Sequence, residues 1–165
     1  MRLRLFLGFL FVVGIVGAVS FLFSKLVITT DKSVEPFLFW KEGKRELRKG
    51  DYVLVKGKGL GEGKLFTKRV MCMEGDEVKR SGIFYYCCSE NGSCVFMHPA
   101  FLETPKRRKL EPWNPCGGNL LTSECKVRLK EGDDYLGSFV TEGYDSRYLG
   151  PFREEEIITV LKPIF

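Results

Sequence analysis

The chain has 165 residues, with 26 Lys plus Arg, 21 Asp plus Glu and a single histidine. Its 44% hydrophobic content and 14 Phe exclude the polar, aromatic-poor profile of a disordered chain, and one histidine excludes sites that need several imidazoles. Arg2 and Arg4 precede an apolar run, so the remainder carries 24 basic against 21 acidic residues, an excess of +3 too small to argue a nucleic-acid partner.

The apolar run, Leu5 to Phe23, is 19 residues long with Ser20 as its one polar side chain. As a helix it reaches roughly 28 Å, close to the hydrocarbon thickness of a bilayer. Positive charge before a first span favours a cytoplasmic N-terminus and an exported remainder. The alternative is a cleaved signal peptide, because Ala18-Val19-Ser20 has small residues where cleavage needs them. The run continues through Phe21, Leu22 and Phe23, which favours a retained anchor; both readings export the domain.

Beyond residue 24 the chain shows short β-rich runs separated by Gly, Pro and charged turns. Strands are predicted at Lys25 to Thr30, Tyr52 to Lys56, Leu65 to Met73, Ile83 to Cys88, Ser123 to Leu129, Tyr135 to Val140 and Ile157 to Leu161. The expected fold is therefore mainly β. A single transmembrane helix over 1–24 precedes a folded β-sheet or partial-barrel domain over 25–165, with a loop-rich insertion at about 89–122.

Several features invite chemical readings that their spacing does not support. The glycine-rich stretch from Gly57 to Lys64 lacks phosphate-loop spacing and reads as a hairpin loop. His98, between Met97 and Pro99, has no nucleophile or acid in a recognisable pattern beside it. The basic run Lys106-Arg107-Arg108-Lys109 reads as a solvated loop, with attraction to anionic lipid heads as the alternative. Six cysteines stand at 72, 87, 88, 94, 116 and 125, with no C-x-x-C spacing. In an exported domain, two disulfides are expected among Cys87, Cys88, Cys94, Cys116 and Cys125, with Cys72 a buried free thiol.

The informative pair is Ser33 and Lys68. Ser33 lies ten residues past the apolar run, so it stays within roughly 35 Å of the membrane even if the chain between is extended. Lys68 shares a strand face with Phe66, Val70 and Cys72, an apolar face on which an ammonium is desolvated and its pKa lowered. A neutral lysine can activate a serine without histidine. The alternative is an ordinary strand lysine whose head reaches solvent.

Ser33-Val34-Glu35-Pro36 after an N-terminal span, then Lys68-Arg69-Val70 with Gly75-Asp76, then Asp145-Ser146-Arg147-Tyr148-Leu149-Gly150-Pro151, resembles the signal peptidase I superfamily of Ser/Lys-dyad serine peptidases. The resemblance implies Ser33 as nucleophile, Lys68 as general base, and Arg69, Asp145 and Arg147 as charges that support the site. It implies no metal or organic cofactor. Two hydroxyl positions of the family pattern are replaced, by Asp31 before the nucleophile and by Gly143 before Asp145. Thr30 could stand in for the first, and Ser138 or Thr141 for the second. The family's Gly-Asp-Asn box is absent, and the Arg147 to Pro151 stretch looks most like the conjugal-transfer (TraF-type) branch, which matures pilin subunits. The expected function is cleavage of signal or leader segments after small residues, outside a cytoplasmic (inner) membrane, on the periplasmic or extracytoplasmic side. Its expected partners are exported precursors, pilin-like or signal-peptide-bearing, and membrane lipid. A general signal peptidase and a noncatalytic anchored β-domain of a secretion or conjugation assembly are the rivals.

Overall fold

A computed structural model describes residues 2–30, 34–35, 37–104, 107–138 and 143–164, and the side chains from residue 6 onward within the first of these. Helix α1 (Arg2–Lys25) carries the apolar run, and Phe6–Lys25 is long and apolar enough to cross a membrane. Its large apolar side chains are exposed, Phe9 at 65% and Phe11 at 70%. That is what a lipid-facing helix requires, since lipid rather than protein takes up its apolar surface.

Eleven strands follow among the described residues. Seven form one sheet, in the order β1 (Leu26–Ile28), β2 (Leu38–Gly43), β11 (Ile157–Pro163), β3 (Tyr52–Lys56), β4 (Leu65–Cys72), β9 (Asp133–Gly137) and β10 (Phe152–Arg153). Four form a second sheet, in the order β7 (Cys94–Met97), β6 (Phe84–Cys88), β5 (Glu77–Ser81) and β8 (Glu124–Arg128). All the pairings are antiparallel.

Side-chain alternation on the central strand β3 explains how the larger sheet is covered on both faces. Val53 and Val55 enter a core with Val70, Leu136, Phe152 and Ile157, whereas Leu54 enters another with Val34, Phe39 and Leu161. A third core joins the two sheets through Cys72, Val78, Tyr85, Cys87, Met97 and Tyr135. The register of β4 against β9 shifts between Val70 and Cys72, so these two residues serve different cores although both have even positions. Such a shift locally disturbs the pleat.

The mainly β fold is as expected, with four strands the sequence reading omits, β2, β5, β7 and the two-residue β10. In β5 the inward positions are Val78 and Arg80, and a charged inward residue conceals the alternation. Arg80 is 1% exposed, and its guanidinium donates to the carbonyls of Gly82 and Leu120 and to Asn114 Oδ1. In β2, Lys41 and Glu42 interrupt the apolar run. Strand β7 lies inside the segment expected to be a loop-rich insertion, pairing with β6 from Tyr85↔Met97 to Cys88↔Cys94. The insertion is therefore partly sheet, and its loops begin after Met97. Strand β9 starts two residues before its predicted position; Phe139 and Val140, at its predicted end, lie outside the described residues. Residues 57–64 form a hairpin loop between β3 and β4, as expected, with a single turn at Gly59–Gly61 and a bond from Gly57 N–H to Lys64 C=O at 2.7 Å.

The cysteines depart from expectation. Three disulfides form: Cys72–Cys87, Cys88–Cys94 and Cys116–Cys125. Cys72 is not a free thiol. It bridges β4 to β6 across the core between the sheets, a partner the linear sequence does not reveal. Asp76 lies beside Cys72 and Cys87, but two sulfurs bonded to each other offer no thiolates to a metal.

Candidate active site

Strand β4 places Lys68 opposite Val53 in the β3–β4 ladder. The side chain is 2% exposed, so the strand lysine with a solvated head is ruled out. Its Nζ donates to Ser138 Oγ at 2.9 Å and lies 5.4 Å from the Phe66 ring centroid. Apolar Phe66 and Val70 flank it on the same face, as the period-two reading of β4 expects.

Ser138 follows the last residue of β9 and is held from behind. Its backbone N–H donates to Asp145 Oδ2 at 3.0 Å, while Asp145 itself caps the short helix α2 (Ser146–Leu149) by accepting from the Arg147 N–H. The Arg147 guanidinium grips the same carboxylate through Nε at 2.8 Å and Nη2 at 2.7 Å. Both residues are buried, at 0% and 2% exposure, and Arg147 also donates to the carbonyls of Pro99 and Gly143. Burial alone would lower the Arg147 pKa, but Asp145 reverses this and the net shift is upward. An unbroken chain of bonds thus runs Arg147, Asp145, Ser138, Lys68. Ser146 Oγ accepts from Leu136 N–H at 2.8 Å, and Tyr148 Oη accepts from Phe101 N–H, so the Asp145–Tyr148 motif ties β9 and the 98–101 loop together.

Of the residues expected at the site, Lys68, Asp145 and Arg147 are brought together. Arg69 is turned to the other face of β4 and donates from Nε to the Gly50 carbonyl at 3.2 Å. Of the two proposed stand-ins for the hydroxyl absent at Gly143, Ser138 contacts the lysine; Thr141 lies outside the described residues. Ser33, Asp31 and Lys106 also lie outside them. The chain on either side of Ser33 is anchored. Thr29 donates to the Phe37 carbonyl from its N–H at 2.8 Å and from Oγ1 at 3.1 Å. Val34, the residue after Ser33, is 2% exposed in the core that contains Leu54, and Tyr52 Oη donates to the Glu35 carbonyl.

Two openings lie along β4. One, about 270 Å³, is lined by Leu26 to Thr30 of the β1 segment and by Leu54, Leu65 and Thr67. Among the described residues β1 is an edge strand, and the β4–β9 ladder begins at Arg69↔Gly137. The other, about 70 Å³, is lined by Arg69, Met71, Met97, His98, Tyr135 and Ser138 among others. Burial pushes the Tyr135 phenol well above its ordinary pKa, and its hydroxyl is buried without a hydrogen-bond partner among the described residues. Met97 and His98 belong to the second sheet and the loop after it, and nothing in their local sequence signals that they border Ser138.

The described residues thus hold a buried amine bonded to a hydroxyl on a strand that also lines two openings. The family model for signal peptidase, peptidase S26, matches residues 2–165, and the chain belongs to that family. It is a serine peptidase whose substrates are exported proteins bearing signal peptides, and α1 is suited to anchor it in a membrane. Among solved structures, a signal peptidase I from Enterococcus faecalis V583 matches with 20% identity and a TM-score of 0.42, covering 72% of this chain and 98% of that one. No curated protein matches the chain.

Proposed function

We propose that the protein is a membrane-anchored Ser/Lys-dyad endopeptidase, with Ser33 as nucleophile and Lys68 as general base. The observation that carries this reading is the burial of Lys68 against Phe66 and Val70 with Ser138 as its hydroxyl partner. A buried amine favours its neutral form, which can take a proton. Lys68 Nζ takes the Ser33 Oγ proton as Oγ attacks the scissile carbonyl; the protonated amine then returns that proton to the leaving nitrogen. Water attacks the resulting ester with Lys68 again as base. The Ser33 backbone N–H stabilises the tetrahedral oxygen, with Thr30, at the lip of the larger opening, as the nearby hydroxyl. Arg147 and Asp145 act on the base through Ser138, while Arg69 supports the strand through Gly50.

Val34 packs in the core that includes Leu54, and Leu54 is the cross-strand partner of Thr67, next to Lys68. The substrate extends along β1 and β4, in the manner of an added strand. Residues 1–24 anchor the enzyme in the inner membrane and residues 25–165 work on its periplasmic or extracytoplasmic side, as the Arg2 and Arg4 charges direct. The likeness of Arg147 to Pro151 to the conjugal-transfer branch supports a pilin precursor as the specialised substrate, with lipid as the surrounding partner.

Co-expression with a pilin precursor and, separately, a general secretory precursor tests the reading by mass spectrometry. Ser33-dependent loss of the leader from the pilin alone is expected. Equal processing of both would make it a general signal peptidase, and processing that persists in Ser33→Ala would remove the nucleophile.

A further inference from the structure

The register of the larger sheet puts the β3–β4 hairpin at the end that α1 joins. Helix α1 ends at Lys25, and Lys41 Nζ donates to the Ser24 carbonyl at 2.9 Å, which holds the helix end beside β2. Lys41 is opposite Leu161, and Leu161 opposite Tyr52, so the three share one level of the sheet. The pairs β1–β2, β2–β11 and β11–β3 are all antiparallel, so β3 runs from Tyr52 to Lys56 toward the side from which α1 enters β1. Four residues at about 3.3 Å each carry it roughly 13 Å that way, and the hairpin loop 57–64 follows.

Beside that loop lies an opening of about 610 Å³, within the size range of ligand sites. Its apolar walls are Leu60 of the loop, Leu110, and Tyr144, Tyr148 and Leu149 around α2; Leu60 is 59% exposed. Lys58 also lines it but is engaged, donating to the Pro151 carbonyl and to Glu156, which ties the loop to the chain after α2. The available charge is at the rim. Lys109 lines the opening, Arg107 and Arg108 precede it, and Lys56 and Lys64 flank the loop. All five are exposed, and none forms an ion pair among the described residues. Glu62, Glu103 and Glu111 stand among them, leaving the cations in excess. Bonds from Thr104 N–H to the Arg108 carbonyl and from Leu110 N–H to the Leu102 carbonyl hold the basic segment in place.

We infer that this opening is a docking site for an anionic phospholipid, with the phosphate at Arg108 and Lys109 and the upper acyl chain against Leu60, Leu110 and Leu149. It rests on α1 as a membrane anchor and not on the Ser33 and Lys68 assignments. Lipid fits because the walls are apolar, the rim is cationic and the site stands at the end of the sheet where the membrane helix arrives.

The test uses the full chain with Glu62→Cys as its one thiol outside the three disulfides, labelled with a fluorophore and reconstituted into vesicles. The vesicles are phosphatidylcholine, with or without phosphatidylglycerol, and contain a lipid that carries a nitroxide near its headgroup and quenches the label on approach. Arg48→Cys, at the turn before β3 and so at the opposite end of that strand, is the reference position. Quenching at position 62 should rise about fivefold or more when phosphatidylglycerol is added, the effect of one cation near an anionic surface. Arg108→Glu with Lys109→Glu should return it to the phosphatidylcholine level, and Leu60→Asp, which keeps the cations, should lower it as well. Equal quenching in the two vesicles, or a rise that survives the charge reversal, would overturn the phosphate site. Quenching at position 48 that matches position 62 would overturn the orientation, and no change in Leu60→Asp would remove the acyl chain from the opening.

Discussion

Ser138 is where local chemistry and chain folding meet at the base. It stands seven residues before Asp145, whereas the family pattern expects a hydroxyl two before it, at the position of Gly143. The longer spacing works because Asp145 accepts the Ser138 N–H, which brings the two residues together. Linear spacing cannot show this, so Ser138 was legible only as one of two substitutes. Ser138→Ala is expected to lower kcat by up to roughly 10²-fold with KM little changed, since misplacing a catalytic group by about 1 Å costs that much; steady-state kinetics will check it. Asp134 makes a separate residue-scale prediction. Burial, reinforced by Glu154, Asp133 and Glu74, raises its pKa from 3.8 to about 6. A raised carboxyl stabilises the fold below its unfolded pKa and loses that contribution as pH rises through the folded one. At pH 7 Asp134 is a buried charge held at a cost, so Asp134→Asn should stabilise the protein there by as much as about 3 kcal/mol. The gain should vanish near pH 4, as denaturant unfolding at the two pH values will show.

At the scale of elements, strands whose inward positions are apolar could be read from sequence and those with a charged inward residue could not. Tyr52–Lys56 has the bounds predicted for it, because Val53, Leu54 and Val55 are all buried. Glu77–Ser81 was missed because its inward Arg80 is held by hydrogen bonds to the Leu120 carbonyl and Asn114 Oδ1, more than 30 residues away. Long-range partners also decide the cysteines. Cys72–Cys87 closes a 15-residue separation and joins the strand of the catalytic lysine to the second sheet. Thiol titration of the unfolded protein should find no free thiol before reduction and six after; two free before reduction would restore the earlier expectation. Replacing Cys72 and Cys87 together with Ala should cost about 3 kcal/mol in the chain-entropy account of a loop that size.

For the whole molecule, the anchor and the order of the three motifs were plain from the sequence, while the two openings along β4 depend on strands and loops brought together from 26 to 147. Topology follows from the charges before the span: protease added to intact spheroplasts should digest the domain after α1, and protection in sealed cells would contradict it. Catalysis by this pair depends most on Lys68 acting as a neutral base, which the pH dependence of kcat/KM for a leader peptide measures directly. An ordinary lysine, with a pKa of about 10.4, is almost wholly protonated at neutral pH. Buried as Lys68 is, it should give activity that rises with pH through a single apparent pKa between those of histidine, about 6.5, and free lysine, and that is abolished in Lys68→Ala. A rise through about 6.5 that is lost in His98→Ala and retained in Lys68→Ala would contradict it and make His98 the base.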